Sequence, residues 1–270
     1  MDSRLPVEDS SCALLTSVMN PFQYPLLAFL LAFLAQWLSA QMGYRLRKIT
    51  GPLPESDKGD FGIVQGATLT LLALIIGFSF SMAISRYDQR KNYEEAEANA
   101  IGTEYVRADS LPAGDDVRVR ELLKNYLDLR VLSYVTRDAA RLRKIGADTA
   151  VAQEELWSTV ERAAAVRPTP VIALAVSGMN DVLNSQGYTQ AAWRNTIPTS
   201  AWILMTAIAI CCNLLIGYSA HRRDWVLMSI LPLVISISFF LIADIDSPRR
   251  GIIRVVPQNL RALSQSLQPR

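Results

Sequence analysis

IVQGATLTLLALIIGFSFSMAI, residues Ile63–Ile84, contains no charged side chain. Three further apolar runs carry charges only at their ends: Pro21–Met42, Thr199–Tyr218 and Trp225–Asp244. A helix needs about 20 apolar residues to cross about 30 Å of hydrocarbon, whereas the helices of a soluble protein keep a polar side. The sequence therefore predicts an integral membrane protein with four transmembrane helices, called spans 1 to 4 in chain order.

The spans form two pairs, and a charged segment rich in helix-forming residues separates the pairs. This arrangement predicts an all-α fold in which two transmembrane hairpins flank a helical extramembrane domain. The expected divisions are an N-terminal segment (1–20), the hairpin of spans 1 and 2 (21–86), the helical domain (87–198), the hairpin of spans 3 and 4 (199–246) and a C-terminal tail (247–270).

Span 2 is predicted to continue past the membrane to about Leu111, because strong helix formers follow it. Glycines and prolines predict a loop over Ile49–Phe61. Spans 1 and 3 are expected to be plain lipid-facing helices. Apolar spacing and breaker residues predict three more helices, with Gly146 closing the first: Asp116–Lys144, Ala150–Val166 and Val171–Trp193.

Composition gives little support for an enzyme or for nucleic-acid binding. The chain has 27 basic and 25 acidic residues, so no basic excess exists for nucleic acid. Its one histidine, His221, falls in the short turn between spans 3 and 4, and the cysteines Cys12, Cys211 and Cys212 are expected to be buried as small apolar residues. Zinc constellations, phosphate loops and nucleophile elbows do not occur. No catalytic, cofactor or metal site is predicted.

Counting spans places the N-terminus, the helical domain and the C-terminus on one side of the bilayer. The distribution of Lys and Arg near the spans favours the cytoplasm for that side. The N-terminal segment lacks the features of a secretory signal, so span 1 is expected to remain as an anchor.

Span 2 has a stripe of small residues at spacings of three and four: Gly66, Thr70, Ala73, Gly77 and Ser81. Such a stripe lets helices pack closely in lipid. A second interpretation is that this stripe lines a pore shared between subunits. The alternative pore surface is the neighbouring side of the helix, where a hydrophobic constriction could gate by dewetting: Thr68, Leu72, Ile76 and Phe80.

Span 4 contains Pro232, which predicts a kink, and it ends in a carboxylate–proline turn. Asp244 at the membrane edge is a functional candidate, because carboxylates at such depths are costly to keep. Asp246 is expected to cap the turn that Ser247-Pro248 begins. Two carboxylates are too few for the six to eight oxygens of calcium. The junction residues singled out are Asp244, Asp246, Pro248, Arg249 and Arg250.

Three stretches resemble the bestrophin-like family, a domain of unknown function found mainly in bacterial four-span membrane proteins. They are Leu71–Pro112 with its LLALIIGFSFSMA and EAEANAIGT segments, Met179-Asn180-Asp181 with Ile197-Pro198, and Asp246-Ser247-Pro248-Arg249-Arg250-Gly251. In the last stretch Arg249 stands where the family usually has an aromatic residue.

The resemblance implies a bacterial inner-membrane protein related to bestrophins, which are homopentameric anion channels whose second span lines the pore. Ile76 and Phe80 would then form the neck, and small inorganic anions such as chloride would be the permeant ions. Basic residues at the exit of span 2 would concentrate anions there: Arg86, Arg90 and Lys91. The acidic run of the animal calcium clasp is absent, so calcium gating is not expected. The alternative is a non-conducting scaffold or sensor whose helical domain binds a partner.

Overall fold

The structure, a computed structural model, describes residues 24–220 and 224–268. Every regular element in these two ranges is helical, which confirms the all-α prediction. The α-helices are α1 (Pro25–Thr50), α2 (Glu55–Arg107), α3 (Asp115–Val135), α4 (Ala139–Val166), α5 (Pro170–Arg194), α6 (Thr199–Ser219), α7 (Leu227–Asp246) and α8 (Gln258–Ser266). A 3-10 turn, Ala108–Ser110, follows α2.

The chain divides into two compact units. The membrane unit comprises Met1–Phe80 and Pro198–Ile252, and the helical unit comprises Ser81–Ile197 and Ile253–Arg270. Helix α2 contributes residues to both units. The sequence division kept 247–270 as a separate tail, whereas the contacts assign residues from Ile253 onward to the helical unit.

Within residues 24–220 and 224–268, four helices are long and apolar enough to cross a membrane, namely α1, α7 and the apolar parts of the segments Glu55–Ser110 and Pro170–Ser219. The prediction of four spans is confirmed, and the protein is an integral membrane protein. The segment 1–20, the predicted start of span 1 at Pro21, and His221 lie outside the described residues. The predicted loop Ile49–Phe61 is too long, because α2 begins at Glu55 and includes Gly59.

Helices α1 and α6 pack against each other at close range through glycine. A Cβ on Gly217 would overlap the carbonyl of Ala40, and a Cβ on Gly43 would overlap the carbonyl of Leu214. Backbones that approach this closely in lipid gain van der Waals contact that larger side chains would prevent. The expectation that spans 1 and 3 are plain lipid-facing helices is therefore wrong.

A buried polar cluster joins the same spans to α7. The amide nitrogen Nδ2 of Asn213 donates to Oε1 of Gln36 at 3.1 Å, and Nε2 of Gln36 donates to Oγ of Ser236 at 3.4 Å. All three side chains are buried. Hydrogen bonds between spans satisfy polar groups that lipid cannot satisfy. Helix α7 contains Pro232, as expected, and runs from Leu227 to Asp246.

Cys212 on α6 is buried, as predicted, whereas its neighbour Cys211 is exposed. Adjacent residues on a helix point in different directions, so one of the pair faces outward.

The helical unit differs from the prediction between α3 and α4. The predicted helix Asp116–Lys144 is wrong, because α3 ends at Val135 and α4 begins at Ala139. The side chain of Asp138 caps α4 by accepting a hydrogen bond from the backbone N–H of Arg141 at 2.7 Å. Gly146, expected to close a helix, lies inside α4. An aspartate at this position is a strong N-cap signal.

The core of the helical unit is formed by apolar side chains of α2, α3, α4, α5 and α8. Its most buried members include Ile101, Leu123, Leu156, Met179 and Leu260. The contribution of Leu260 means that the short C-terminal helix α8 completes this core.

Candidate functional site

Helix α2 has one buried side along its length. Within the membrane unit Leu72 and Ser79 are buried, and after the membrane segment Ala83 continues the same line. The spacings of seven and four residues keep these positions on one side of an α-helix. The remaining sides of the apolar segment are therefore available for contacts outside this chain.

The stripe of small residues lies on the opposite side of α2. At about 3.6 residues per turn, Thr70, Gly77 and Ser81 fall across the helix from Leu72. All five residues of the stripe are exposed. A Cβ on Gly66 or Gly77 would meet no heavy atom within 4 Å among the described residues. Packing against the chain's own helices thus does not account for the stripe.

The alternative pore surface is closer to the buried side. Leu72 is only 2% exposed, and Thr68 and Ile76 are half-buried. Phe80 is 37% exposed, whereas Leu74 and Phe78, which lie farther around the helix from Leu72, are 52% and 65% exposed. A residue buried within its own chain cannot line an aqueous path, so the assignment of Leu72 to a pore surface disagrees with the structure.

The hydroxyl groups on the apolar segment are satisfied locally. Thr68 Oγ1 donates to the carbonyl of Val64 at 2.7 Å, and Thr70 Oγ1 donates to the carbonyl of Gly66 at 2.9 Å. A threonine that bonds to the preceding turn can lie in an apolar setting without an unpaired donor. Its hydroxyl oxygen still offers a lone pair to a passing ion or water.

The basic residues at the exit of span 2 differ in their surroundings. Arg90 is buried and Arg86 is half-buried, and each has an interaction partner; Lys91 is exposed. A buried guanidinium does not raise the ion concentration of open water. The proposed anion-attracting role is therefore not supported for Arg90.

The acidic side chains Asp88 and Glu95 are exposed. They lie seven residues apart, so they share one side of α2 beyond the membrane segment. No role was predicted for them from the sequence. Their spacing of seven residues, one heptad, was the signal that could have found them.

The turn after α7 is built around Asp244. Its carboxyl oxygen Oδ1 accepts a hydrogen bond from the backbone N–H of Ile252 at 2.7 Å. A Cβ on Gly251 would overlap the carbonyl of Asp244. The hydroxyl of Ser247 accepts from the N–H of Arg250 at 3.3 Å. Asp244 and Ser247 thus hold the turn by accepting backbone hydrogen bonds, and Asp246 is buried with an interaction partner.

The three remaining junction residues have different surroundings. The guanidinium carbon of Arg250 lies 4.1 Å from the ring centroid of Tyr24, which is a cation–π contact. Pro248 and Arg249 follow the buried Ser247, and Arg249 has an interaction partner. The turn residues therefore act in local structure.

Glu97 is the centre of a buried polar cluster in the helical unit. Its carboxylate is paired with the Arg130 guanidinium, and it also accepts from the Tyr134 hydroxyl at 3.4 Å and from the Thr189 hydroxyl at 3.2 Å. Burial alone would lower the pKa of Arg130, but the Glu97 carboxylate reverses that effect and raises it. Burial, reinforced by Glu97, raises the pKa of Tyr134. The cluster joins α2, α3 and α5.

A second buried glutamate holds the C-terminal helix. Glu94 accepts from the backbone N–H of Leu260 at 2.9 Å and from the side-chain amide of Asn259 at 2.7 Å. Unpaired N–H groups at a helix start are satisfied in this way, and a negative charge there also suits the helix dipole. Glu94 therefore docks the start of α8 onto α2.

The glutamates after span 2 were predicted from the sequence only to favour helix formation. Glu94, Glu97 and Glu104 are all buried. With Ile101 and Ala108 they recur at spacings of three and four, which is the pattern of a buried helix side. The spacing is present in the sequence. A buried helix side is normally recognised by apolar residues, however, and three members of this one are glutamates.

The comparison with protein families decides the classification. A model of the bestrophin-like domain matches residues 26–260. The chain belongs to the bestrophin-like family. This result confirms the resemblance that the three sequence stretches indicated. Among proteins of curated function, none matches this bestrophin-like chain.

Solved structures show the same fold. A bacterial bestrophin homologue from Klebsiella pneumoniae aligns with a TM-score of 0.59 at 16% identity, covering 90% of this chain and 95% of that one. A single-residue variant of that homologue gives a TM-score of 0.58, again at 16% identity, with coverages of 88% and 93%. A further structure, described as a membrane protein, gives 0.60 at 15% identity, with coverages of 88% and 97%. At such identities the likeness establishes the fold of the bestrophin-like chain, and function needs a separate argument.

Proposed function

We propose that this bestrophin-like protein is a homo-oligomeric ion channel in which the exposed side of α2 faces the conduction path. One observation carries the proposal: the small-residue stripe of a membrane-spanning helix is exposed, while the opposite side of the same helix is buried. A surface of glycine, alanine and hydroxyl side chains has little apolar area to offer lipid, so contact with other copies or with water suits it better.

The side chains expected to line the path are Thr70, Leu74 and Phe78. Leu74 and Phe78 lie farther around the helix from the buried Leu72 than Phe80 does, and both are more exposed than Phe80. Rings of such side chains, one from each subunit, would form a constriction that closes by dewetting. This choice replaces Ile76 and Phe80, which the resemblance suggested, because those residues lie nearer the buried side.

The exposed charges argue for cations. Asp88 and Glu95 are exposed on one side of α2 beyond the membrane segment, and one exposed base, Lys91, lies nearer the edge of that side. Rings of carboxylates favour cations at a pore entrance. Since Arg90 is buried, the preference for anions such as chloride rests on the family resemblance alone. We therefore propose that small inorganic cations permeate more readily than anions.

Conductance measurements on paired variants test the proposal. Purified protein is reconstituted into planar bilayers, and single-channel currents are recorded in symmetrical potassium chloride. Phe78→Ala is expected to widen the constriction and raise the open-channel current. Phe80→Ala, the same substitution on another side of α2, is expected to leave the current near that of the wild type.

Three results would contradict the proposal. If no small ion gave a current at either polarity, the protein would not be a channel. An effect of Phe80→Ala without an effect of Phe78→Ala would place the path on the other side of α2. A monomer in nanodiscs would leave no shared path between subunits.

A non-conducting scaffold remains the second candidate, and exposed apolar side chains of the helical unit favour it. Val151, Val166 and Leu174 are each more than half exposed, as expected of a surface that binds a partner. This candidate predicts that the stripes of neighbouring copies pack together without a lumen. Thiol-directed reagents in water would then fail to reach a cysteine placed at Thr70.

A further inference from the structure

Glu104 is a buried carboxyl group without hydrogen-bond donors. It lies near the end of α2 in the helical unit and is 0% exposed. No described residue donates a hydrogen bond to either of its carboxyl oxygens. Buried polar groups are nearly always paired, because an unpaired buried charge is costly. Glu97, seven residues earlier on α2, accepts hydrogen bonds from an arginine and two hydroxyl groups, whereas Glu104 accepts none from the described residues.

The carboxyl group is held against the backbone of α5. A Cβ on Gly178 would overlap Oε2 of Glu104 and Nη1 of Arg107, and it would lie 3.2 Å from Cδ of Glu104. Glycine at position 178 therefore leaves the space that the two α2 side chains occupy. Nη1 of Arg107 also donates to the carbonyl of Leu174 at 3.4 Å.

The charged groups around Glu104 act in opposite directions. Burial is the largest effect and raises the pKa of Glu104 to about 8, Arg107 on the same helix lowers it, and Asp181 on α5 raises it. The 3-10 turn after α2 also contacts α5. Its acidic residue, Asp109, is ion-paired with Arg120 of α3 and so is engaged elsewhere.

We propose that Glu104 is a proton-binding site that couples pH to the packing of α5 against α2. With its proton, the carboxyl group is neutral and the two helices pack closely around Gly178. Without its proton, the group carries a buried charge that accepts no hydrogen bond from the described residues, so opening of the contact to water becomes more favourable.

The direction of the pH effect on the stability of this contact follows from its two states, closed and open. In the open contact Glu104 has its ordinary pKa, which is lower than in the closed contact. The closed contact therefore binds the proton more tightly. Its stability is fully present at pH values below the ordinary pKa, and it is lost as pH rises toward about 8, where the loss levels off.

Hydrogen exchange of the full-length protein in nanodiscs tests this proposal directly. Backbone protection in peptides covering α2 and α5 is measured from pH 5.5 to 9 and corrected for the intrinsic pH dependence of exchange. We expect the opening equilibrium to rise by up to about tenfold per pH unit below pH 8, since one proton is involved. Glu104→Gln should abolish this dependence. Glu95→Gln, an exposed glutamate on the same helix, should retain it.

Two further variants test the charged surroundings. Asp181→Asn should lower the pH at which the opening equilibrium stops rising, and Arg107→Gln should increase it. The two residues shift the pKa of Glu104 in opposite directions. The proposal is overturned if Glu104→Gln retains the pH dependence of the wild type, or if both neighbours shift it in the same direction. Hydrogen exchange measures the packing of the helices and not ion flux. The outcome is therefore independent of whether the protein conducts ions.

Discussion

Replacing Arg130 by methionine should strongly destabilise the helical unit. Arg130 and Glu97 are both buried, and the Nη2–Oε2 distance between them is 3.4 Å. At that separation two unit charges attract with about 5 kcal/mol at an effective dielectric constant of about 20. Methionine keeps much of the apolar stem of arginine but leaves the Glu97 carboxylate buried without a cation.

The two hydroxyl donors to Glu97 remain in the variant, from Tyr134 and Thr189. They offset part of the loss, so we expect the free energy of unfolding to fall by about 3–5 kcal/mol, as for other buried ion pairs broken on one side. The fluorescence of Trp193, which packs edge-on against Tyr134 at 4.8 Å between ring centroids, provides a local reading of unfolding by denaturant.

A control and a double variant sharpen the result. Arg118 and Glu155 form an exposed pair at 3.1 Å, and Arg118→Met should cost less than about 1 kcal/mol. Adding Glu97→Gln to Arg130→Met should restore part of the lost stability, because it removes the unpaired charge. Equal effects of Arg130→Met and Arg118→Met, or strictly additive effects at positions 97 and 130, would refute the reasoning.

Three other perturbations have expected outcomes of their own. Gly217→Val should prevent the close approach of α1 and α6, since a Cβ there already overlaps the Ala40 carbonyl; a thermal unfolding midpoint equal to that of the wild type would contradict this. Glu94→Ala should release the start of α8, costing about 0.5–2 kcal/mol as for other lost helix caps, and limited proteolysis should then cleave near residue 257; unchanged protease resistance would argue against the capping role. Combined Asp88→Asn and Glu95→Gln should shift the reversal potential in a potassium chloride gradient toward that of chloride, whereas an unchanged potential would exclude these residues from the conduction path.

The membrane spans could be predicted because hydrophobicity over about 20 residues is a local property of the sequence. The length of α2 was predicted for a similar reason, since the residues from Arg86 to Arg107 are mostly helix formers. The break between α3 and α4 was not predicted. The apolar residues of α3 recur at helical spacing and favour one longer helix, whereas the break depends on a single side chain, that of Asp138, which caps α4.

The sides of α2 could not be assigned from the sequence alone. Leu72 and Leu74 are chemically identical, and only tertiary packing buries the first and leaves the second exposed. From the sequence, Arg90 is expected to be a solvated charge at the end of a span, yet it is buried. The role of Glu97 likewise depends on Arg130, which lies on another helix and has no local sequence signal linking it to Glu97.

Cysteine accessibility during current recording tests the central claim most directly. Thr70→Cys and Thr68→Cys are prepared in a variant whose three native cysteines are replaced by serine, reconstituted in planar bilayers and treated with a membrane-impermeant methanethiosulfonate. Because Thr70 lies on the exposed side of α2 and Thr68 is half-buried near Leu72, we predict that the reagent blocks the Thr70→Cys current, reversibly with a reductant, and leaves the Thr68→Cys current intact. An intact Thr70→Cys current with a blocked Thr68→Cys current, or no current before treatment, would contradict the account.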